Sequence, residues 1–427
     1  MIDTIMLNKR ILILSNNALN KTNSNGRTLL NFFNEEDKEQ LAQFFLHNET
    51  PDFTVCQRYF CATDGQVVQS FFKRKPAGCE ILKKQDGDSQ NEQQSYEKST
   101  KGIKRTAFTM LLRNFFWDKK CWRKELDRWV EKFKPECILL QAGDCPFLYK
   151  LARIYAQSYQ IPLLIYNSED YYFKRYNYFD CGSKLFYKIF HRKLRKEINK
   201  TMPWVKHSVY ISEELKELFD AEFDSPSSFI YTATELKNFG TSETDREGFA
   251  YLGNLSLGRS KQLIKIANAL TNIDTKLRLK VYGKLPSKEE EQAFTSCEGI
   301  EYCGFVGYEE VTKVLQNSKF LFHVESFDPF YRRVIRYGFS TKIADSLASG
   351  ACFIVFAPEE VSCVKYLQKN HCACVITEEE QIEQRLKEII TERQLYERYI
   401  LNAQALVRKN HDVHINQKCM AKLINTL

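Results

Sequence analysis

Lys342 and Asp345 stand three residues apart in YGFSTKIADSLASGACFIVF, residues 337–356, ahead of small residues, a glycine and an apolar run. Residues at i and i+3 share a helix face. A helix capped by Ser340 or Thr341 therefore points both side chains the same way. A carboxylate presented there can accept from both hydroxyls of a ribose. The plain alternative is an exposed ion pair worth about 0.3 kcal/mol. Ala348, Ser349 and Gly350 keep the helix thin, so it can lie close on a sheet.

Other stretches offer chemistry at turns between strand and helix. In YLGNLSLGRSKQLIKIA (251–267) an apolar run ends at Gly253, Asn254 follows, and a helix is expected from Arg259. Helix N-termini carry free N–H groups and a positive dipole end, which suit a phosphate. Arg259, with Lys261 behind it, would add charge-assisted bonds; a solvated helix start is the alternative. Gly283 ends LKVYG and lets backbone come close to a ligand. In SNNALNKTNSNGRTLL (15–30), Asn23, Asn25 and Gly26 offer amide donors and Arg27 a charge; a capped turn leading to a helix explains them equally. Asp144 in QAGDCP, and Glu169 and Asp170 in YNSEDYY, follow strand-like runs. A carboxylate in such a turn can take a proton from a hydroxyl, and helix capping is its ordinary use.

The elements that must position these residues alternate. Strand-like runs are RILILS, FTVCQRYF, QVVQSFF, ECILLQAG, IPLLIYN, HSVYIS and SSFIYT, then GFAYLGNL, LRLKVYG, IEYCGF, FLFHV and CACVIT. Helical patterns separate most of them, including 146–158, 184–200, 259–270, 287–295 and 308–317. This is the βαβ rhythm of a doubly wound parallel sheet, and it restarts after the polar stretch 232–247. Two Rossmann-like α/β domains are expected, over 1–240 and 241–405, with a ligand in the cleft between them. A helix over 406–427 closes the chain. The polar, aromatic-poor segment at about 75–102 reads as a mobile loop.

Composition narrows the classes. At 427 residues the chain is too long for one ordinary core. No run of about 18 apolar residues suggests a spanning helix. The N-terminal stretch lacks the order of a signal peptide, so a cytoplasmic place is expected. The fourteen cysteines are unevenly scattered, as buried thiols of a reducing compartment would be. HCAC at 371–374 lacks a second ligand pair, so no metal site is expected. HDVH at 411–414 reads as surface. No Ser-His-Asp order is present. The formal charge of +8 matters less than its placement. Basic residues interleave with aromatics over 104–134 and 171–200, which suits an anionic membrane surface. The same pattern would suit RNA, or the charged outer face of a core helix.

Taken in order, GNLSLGRS, the glycine-ended strand, IEYCGFVGYEEVTKVLQNSKFLFHVES and STKIADSLASG resemble the donor domain of GT-B-fold glycosyltransferases of the glycosyltransferase 4/1-like group. The resemblance spans about 249–400, and loosely the whole chain through the two-domain layout, which implies that the helix over 406–427 crosses back onto the first domain. It departs at Asn254, where the family has Arg, at Asp345 for the usual Glu, and at Ser346 for Tyr. The family's Pro-Ser turn is missing from HVESFDPFYRRVIRYGF, which holds Arg332, Arg333 and Arg336. The resemblance implies a nucleotide-sugar donor as substrate, UDP-linked by default, with no cofactor and no metal. Asp345 would hold the ribose and Arg259 the diphosphate, with Lys342 close by. Glu325, or secondly Asp328, would meet the sugar. Asp144, Glu169 or Asp170 would serve an acceptor hydroxyl. The implied acceptor is a glycan or a lipid-linked glycan of bacterial surface-polysaccharide synthesis, with peripheral membrane contact and no nucleic acid. The alternatives are a nucleotide-sugar epimerase of the same fold, or a non-catalytic binding protein with a decayed donor site.

Overall fold

A computed structural model of the chain describes residues 5–73, 76–83, 104–236 and 246–427. It divides into two compact units. Unit 1 is Met1–Ile230 with Asn416–Leu427, and unit 2 is Tyr231–Ile415.

Among the described residues, unit 1 holds eight strands: β1 Ile11–Leu14, β2 Leu41–Phe45, β3 Arg58–Cys61, β4 Cys79–Ile81, β5 Cys137–Ala142, β6 Leu163–Asn167, β7 Val205–Tyr210 and β8 Ser227–Phe229. Their order is β4-β3-β2-β1-β5-β6-β7-β8, all pairings parallel except β3 with β4. β1 is ILIL and β5 is CILLQA, every residue of both buried. Strands covered by helices on both faces read as continuous apolar runs rather than alternating ones. The order reverses between β1 and β5, so the turns after these two strands flank the switch point where doubly wound sheets bind ligands.

Unit 2 repeats the plan with β9 Glu247–Leu252, β10 Leu279–Tyr282, β11 Ile300–Gly304, β12 Ser318–Val324, β13 Cys352–Phe356 and β14 Cys374–Ile376, in the order β11-β10-β9-β12-β13-β14. All five pairings are parallel. The switch point lies between β9 and β12. Each unit is therefore the doubly wound sheet that the alternating rhythm implies, parallel throughout in unit 2 and parallel except for the edge strand β4 in unit 1.

Several local expectations are corrected. QVVQSFF is not a strand: it lies in the helix Asp64–Lys73, which turns Val67 and Ser70 inward at helical spacing and leaves Phe71 and Phe72 exposed. Only the end of FTVCQRYF is strand. LAQFF, five buried residues without alternation, forms β2 and went unread, because a short apolar run carries no period of its own. Gly26 lies inside the first turn of the helix Ser24–Leu30 rather than in the loop before it. HDVH is not all surface. His411 is fully buried, with Nδ1 2.6 Å from the Thr232 carbonyl oxygen and Nε2 2.9 Å from the Tyr366 hydroxyl. The carbonyl can only accept, so Nδ1 carries the proton and Nε2 accepts from Tyr366. Burial pushes this imidazole down to about 4. Of the expected loop at 75–102, residues 76–83 hold β4, while 75 and 84–102 lie outside the described residues. So does the expected domain boundary at 240.

Candidate functional site

The strongest constellation sits at the switch point of unit 2. After β9 the chain turns through Leu257 and Gly258, both with left-handed φ (60° and 74°), into the helix Arg259–Ile273. A side chain at Gly258 would be strained, and its Cβ would come within 2.7 Å of Ser326 Oγ, so glycine fits both demands. At Gly283 a Cβ would collide with the Gly253 carbonyl oxygen; the turns after β9 and β10 are in backbone contact. Asn254 closes the first turn locally, its Oδ1 accepting from Ser256 N at 2.8 Å.

Arg259 then reaches across to the end of β12. Its Nε and Nη2 each donate to Glu325 at 2.9 Å, a bidentate fork. Both side chains are largely shielded from solvent. His323 Nε2 lies 3.4 Å from the same carboxylate. Burial opposes the charge on Glu325, but the Arg259 guanidinium and His323 outweigh it and hold the carboxyl at about 2. Burial likewise works against the charge on Arg259, and Glu325 more than compensates, raising the guanidinium. Two opposite charges held in low dielectric form a preorganised ion pair, the guanidinium at the start of the helix after β9 and the carboxylate just past the end of β12. Asp328 caps the next helix, Pro329–Ile335, accepting from Phe330 N at 2.8 Å. Arg332 is paired with Glu360 at 2.6 Å. Lys342 and Asp345 lie in the helix Lys342–Ala348 that precedes β13, whose N-cap position is Thr341, with Ser340 Oγ accepting from Lys342 N at 3.4 Å; Asp345 is buried and Lys342 half-buried.

In unit 1 the Asn-rich turn after β1 is organised by a residue the sequence reading passed over. Glu49 accepts from Asn17 Nδ2 at 2.7 Å, Asn23 Nδ2 at 2.8 Å, Ala18 N at 3.0 Å and Asn20 Nδ2 at 3.3 Å. Burial opposes its charge, yet His47, Asn17 and the Ala18 N–H prevail and hold its pKa below the usual range. Asn23 also caps the helix Ser24–Leu30, accepting from Gly26 N at 3.0 Å. A Cβ on Gly26 would strike the Ala18 carbonyl oxygen. Asn25 bonds to Asn17 at 3.4 Å, and Arg27 occupies the next turn of that helix, half-buried. Glu49 follows β2, so recognising LAQFF as a strand would have placed it at a strand end.

The acidic turns form a second cluster. Asp144, after β5, is buried and accepts from the Arg105 guanidinium and, at 2.5 Å, from the Tyr178 hydroxyl. After β6, Lys174 is buried between Glu169 at 2.9 Å and Asp170 at 3.0 Å. Burial opposes the lysine's charge, and the two carboxylates overcome it and raise it well above its ordinary value. Burial raises Asp170, which Lys174 only partly offsets. Glu169 keeps an open face, with 36% of its side chain exposed. Lys174 was legible only as one cation in a basic-aromatic stretch; its i+4 spacing from Asp170 was the signal for a pair. Cys372 and Cys374 of HCAC are buried thiols, and among the described residues no three His, Cys, Asp or Glu side chains are grouped to hold a metal.

Known proteins resemble this chain in one domain and in fold. The family described as Glycosyl transferase-like matches residues 259–420, which begin at Arg259 and include Glu325, Lys342 and Asp345. No curated protein matches the chain by sequence. Among solved structures, the chain resembles Anabaena Alr3699/HepE in complex with UDP-glucose, with a TM-score of 0.63 at 11% identity, covering 98% of this chain and 100% of that one. It also resembles sucrose-phosphate synthase (tll1590) from Thermosynechococcus elongatus, with a TM-score of 0.64 at 9% identity, covering 98% and 99%. At such identities the likeness concerns the fold. The chain thus has the GT-B fold, two parallel-sheet α/β units, and carries a glycosyl transferase-like domain over residues 259–420.

Proposed function

We propose that this protein moves a sugar from a nucleotide-sugar donor, a UDP-sugar first, to a hydroxyl of a glycan or lipid-linked acceptor. The observation that carries this is the Arg259–Glu325 fork at the switch point of unit 2, inside the segment that matches the glycosyl transferase-like family. Arg259 supplies a fixed positive charge for the departing diphosphate, and Lys342 a second one, so the transfer needs no metal. Glu325 acts as a positioning residue that sets the fork of Arg259, rather than as the sugar contact. Asp345 takes the ribose hydroxyls. The Alr3699/HepE structures hold UDP, with glucose, or UDP-glucose, which favours UDP here as the first donor to try.

The acceptor groups lie in unit 1. Asp144 and Asp170 are buried and already engaged, so Glu169, with its open face, is the carboxylate best able to meet a hydroxyl. We place the reaction in the synthesis of a bacterial surface polysaccharide, on the cytoplasmic side and peripheral to the membrane.

Calorimetric titration of the protein with UDP, GDP and their sugars, beside Asp345→Ala, tests the reading. Binding of one nucleotide series that the variant weakens at least about a hundredfold supports it, since the variant removes two hydrogen bonds to a charged group. An equal response of both proteins, or no binding, sinks the donor assignment and favours a non-catalytic binding protein. Turnover of the donor without any acceptor would point instead to an epimerase.

A further inference from the structure

Three helices of unit 1 turn apolar side chains outward as well as inward. In the helix Ala107–Trp117, Met110, Asn114 and Trp117 face the core, while Phe108, Leu112 and Phe115 are exposed. These last are spaced i, i+4, i+7, a second stripe on the opposite face. In the helix Lys184–Thr201, Tyr187, Phe190 and Leu194 are buried, while Leu185 is 66% exposed and Ile189 is exposed beside it. Phe72, at the end of the helix Asp64–Lys73, is 70% exposed. Ring contacts join the three helices into one patch: Phe108 with Phe186 at 5.2 Å, and Phe71 with Phe115 at 6.3 Å. Core packing does not account for six outward apolar side chains that lie this close.

The surroundings are basic. The helix Lys184–Thr201 carries seven Lys and Arg against one carboxylate, Glu197. Lys184, Lys188 and Arg192 are exposed along the same edge as Leu185 and Ile189. Lys119 sits over the Phe115 ring at 4.2 Å. Asp118, the nearby acid, is already held by Lys150 and Lys193 at 3.0 and 2.9 Å.

From this we infer that the face formed by Phe72, Phe108, Leu112, Phe115, Leu185 and Ile189, rimmed by Lys184, Lys188 and Arg192, docks on an anionic phospholipid surface. Apolar side chains at the acyl boundary with cations at the headgroups are what such a surface selects. A single-stranded nucleic acid would stack bases on aromatic rings and gain little from Leu112, Leu185 and Ile189. A second copy would set the seven-cation helices of two chains near one another across a two-fold. The chain's own stretch 84–103 contains only Tyr96 and Ile103 as large hydrophobics, too few to cover the patch. The inference rests on the peripheral placement proposed above and goes beyond it by naming the face and the lipid charge.

Flotation of the full chain with vesicles of phosphatidylcholine, alone or mixed with phosphatidylglycerol, tests it without donor or acceptor. The protein should float with the anionic vesicles and not with the neutral ones, and added salt should release it. Lys188→Glu with Arg192→Glu should weaken the partition by at least about thirtyfold. Leu112→Ser with Leu185→Ser should weaken it as well, and both pairs should melt at the wild-type temperature because the altered residues are exposed. No flotation with anionic vesicles overturns the inference, as does equal flotation of the variants. RNA binding or self-association lost in the same variants, without vesicle binding, also overturns it. Since the variants leave the donor residues untouched, unchanged UDP titration separates failure here from failure of the glycosyl-transfer reading.

Discussion

At the residue scale the Arg259–Glu325 pair sets a consequence in acid. Glu325 has its carboxyl held down at about 2, from an ordinary value of 4.5. A depressed carboxyl stabilises the fold fully above its unfolded pKa, and that stability drains as pH falls through the folded one. The contribution is therefore present above about pH 4.5 and lost on approach to pH 2, and amounts to roughly 3 kcal/mol. Melting temperatures of wild type and Glu325→Gln should differ most near neutrality and converge toward pH 2. A constant gap across that window would mean the pair is not ionised as described. Arg259 and Glu325 were each legible as turn residues after strands. Their engagement with one another, 66 residues apart in sequence, was not, because only the pairing of β9 with β12 brings those turns together.

At the scale of elements, close approach of turns rather than helix propensity controls the donor side. Gly283 has no room for a Cβ against the Gly253 carbonyl, whereas Gly307, at the start of the helix Tyr308–Asn317, has nothing within 4 Å. Gly283→Ala should cost about 1–3 kcal/mol or more by pushing two strand ends apart. Gly307→Ala should cost less than about 1 kcal/mol, the ordinary loss for alanine at an N-cap. Denaturant unfolding of the two variants decides; equal losses would show that the turns yield freely. QVVQSFF holds β-branched residues and phenylalanines, which suit a strand, yet its burial follows helical period. Neighbouring helices decided the matter, and the aromatic run then lay on an outer surface.

At the scale of the whole molecule, the last residues of the chain belong to unit 1. Met420 and Ile424 are fully buried there, Gln417 donates to the Phe33 carbonyl at 3.0 Å, and Asn425 donates to the Met6 carbonyl at 2.9 Å. Deleting residues 416–427 should remove about 3–6 kcal/mol from unit 1 through those two apolar side chains alone. Limited proteolysis of the shortened chain should cut unit 1 first and leave unit 2 resistant. Equal resistance of the units would show that the segment is an ornament.

Read by itself, the sequence determined the class: short strand-like runs separated by helical patterns, which become strands of three to seven residues, specify parallel sheets covered on both faces, and they do so twice. It also marked the turns after strands as the places for chemistry, since a doubly wound sheet presents ligands there whatever the side chains are. Only the tertiary structure decided which turns meet. Strand order puts β9 beside β12 and β1 beside β5, across intervals that no local pattern encodes, and so couples Arg259 to Glu325. It gathers the asparagines of the first turn on Glu49 and buries Lys174 between Glu169 and Asp170. Charge and burial are set by such neighbours in space, and composition and spacing along the chain do not name them.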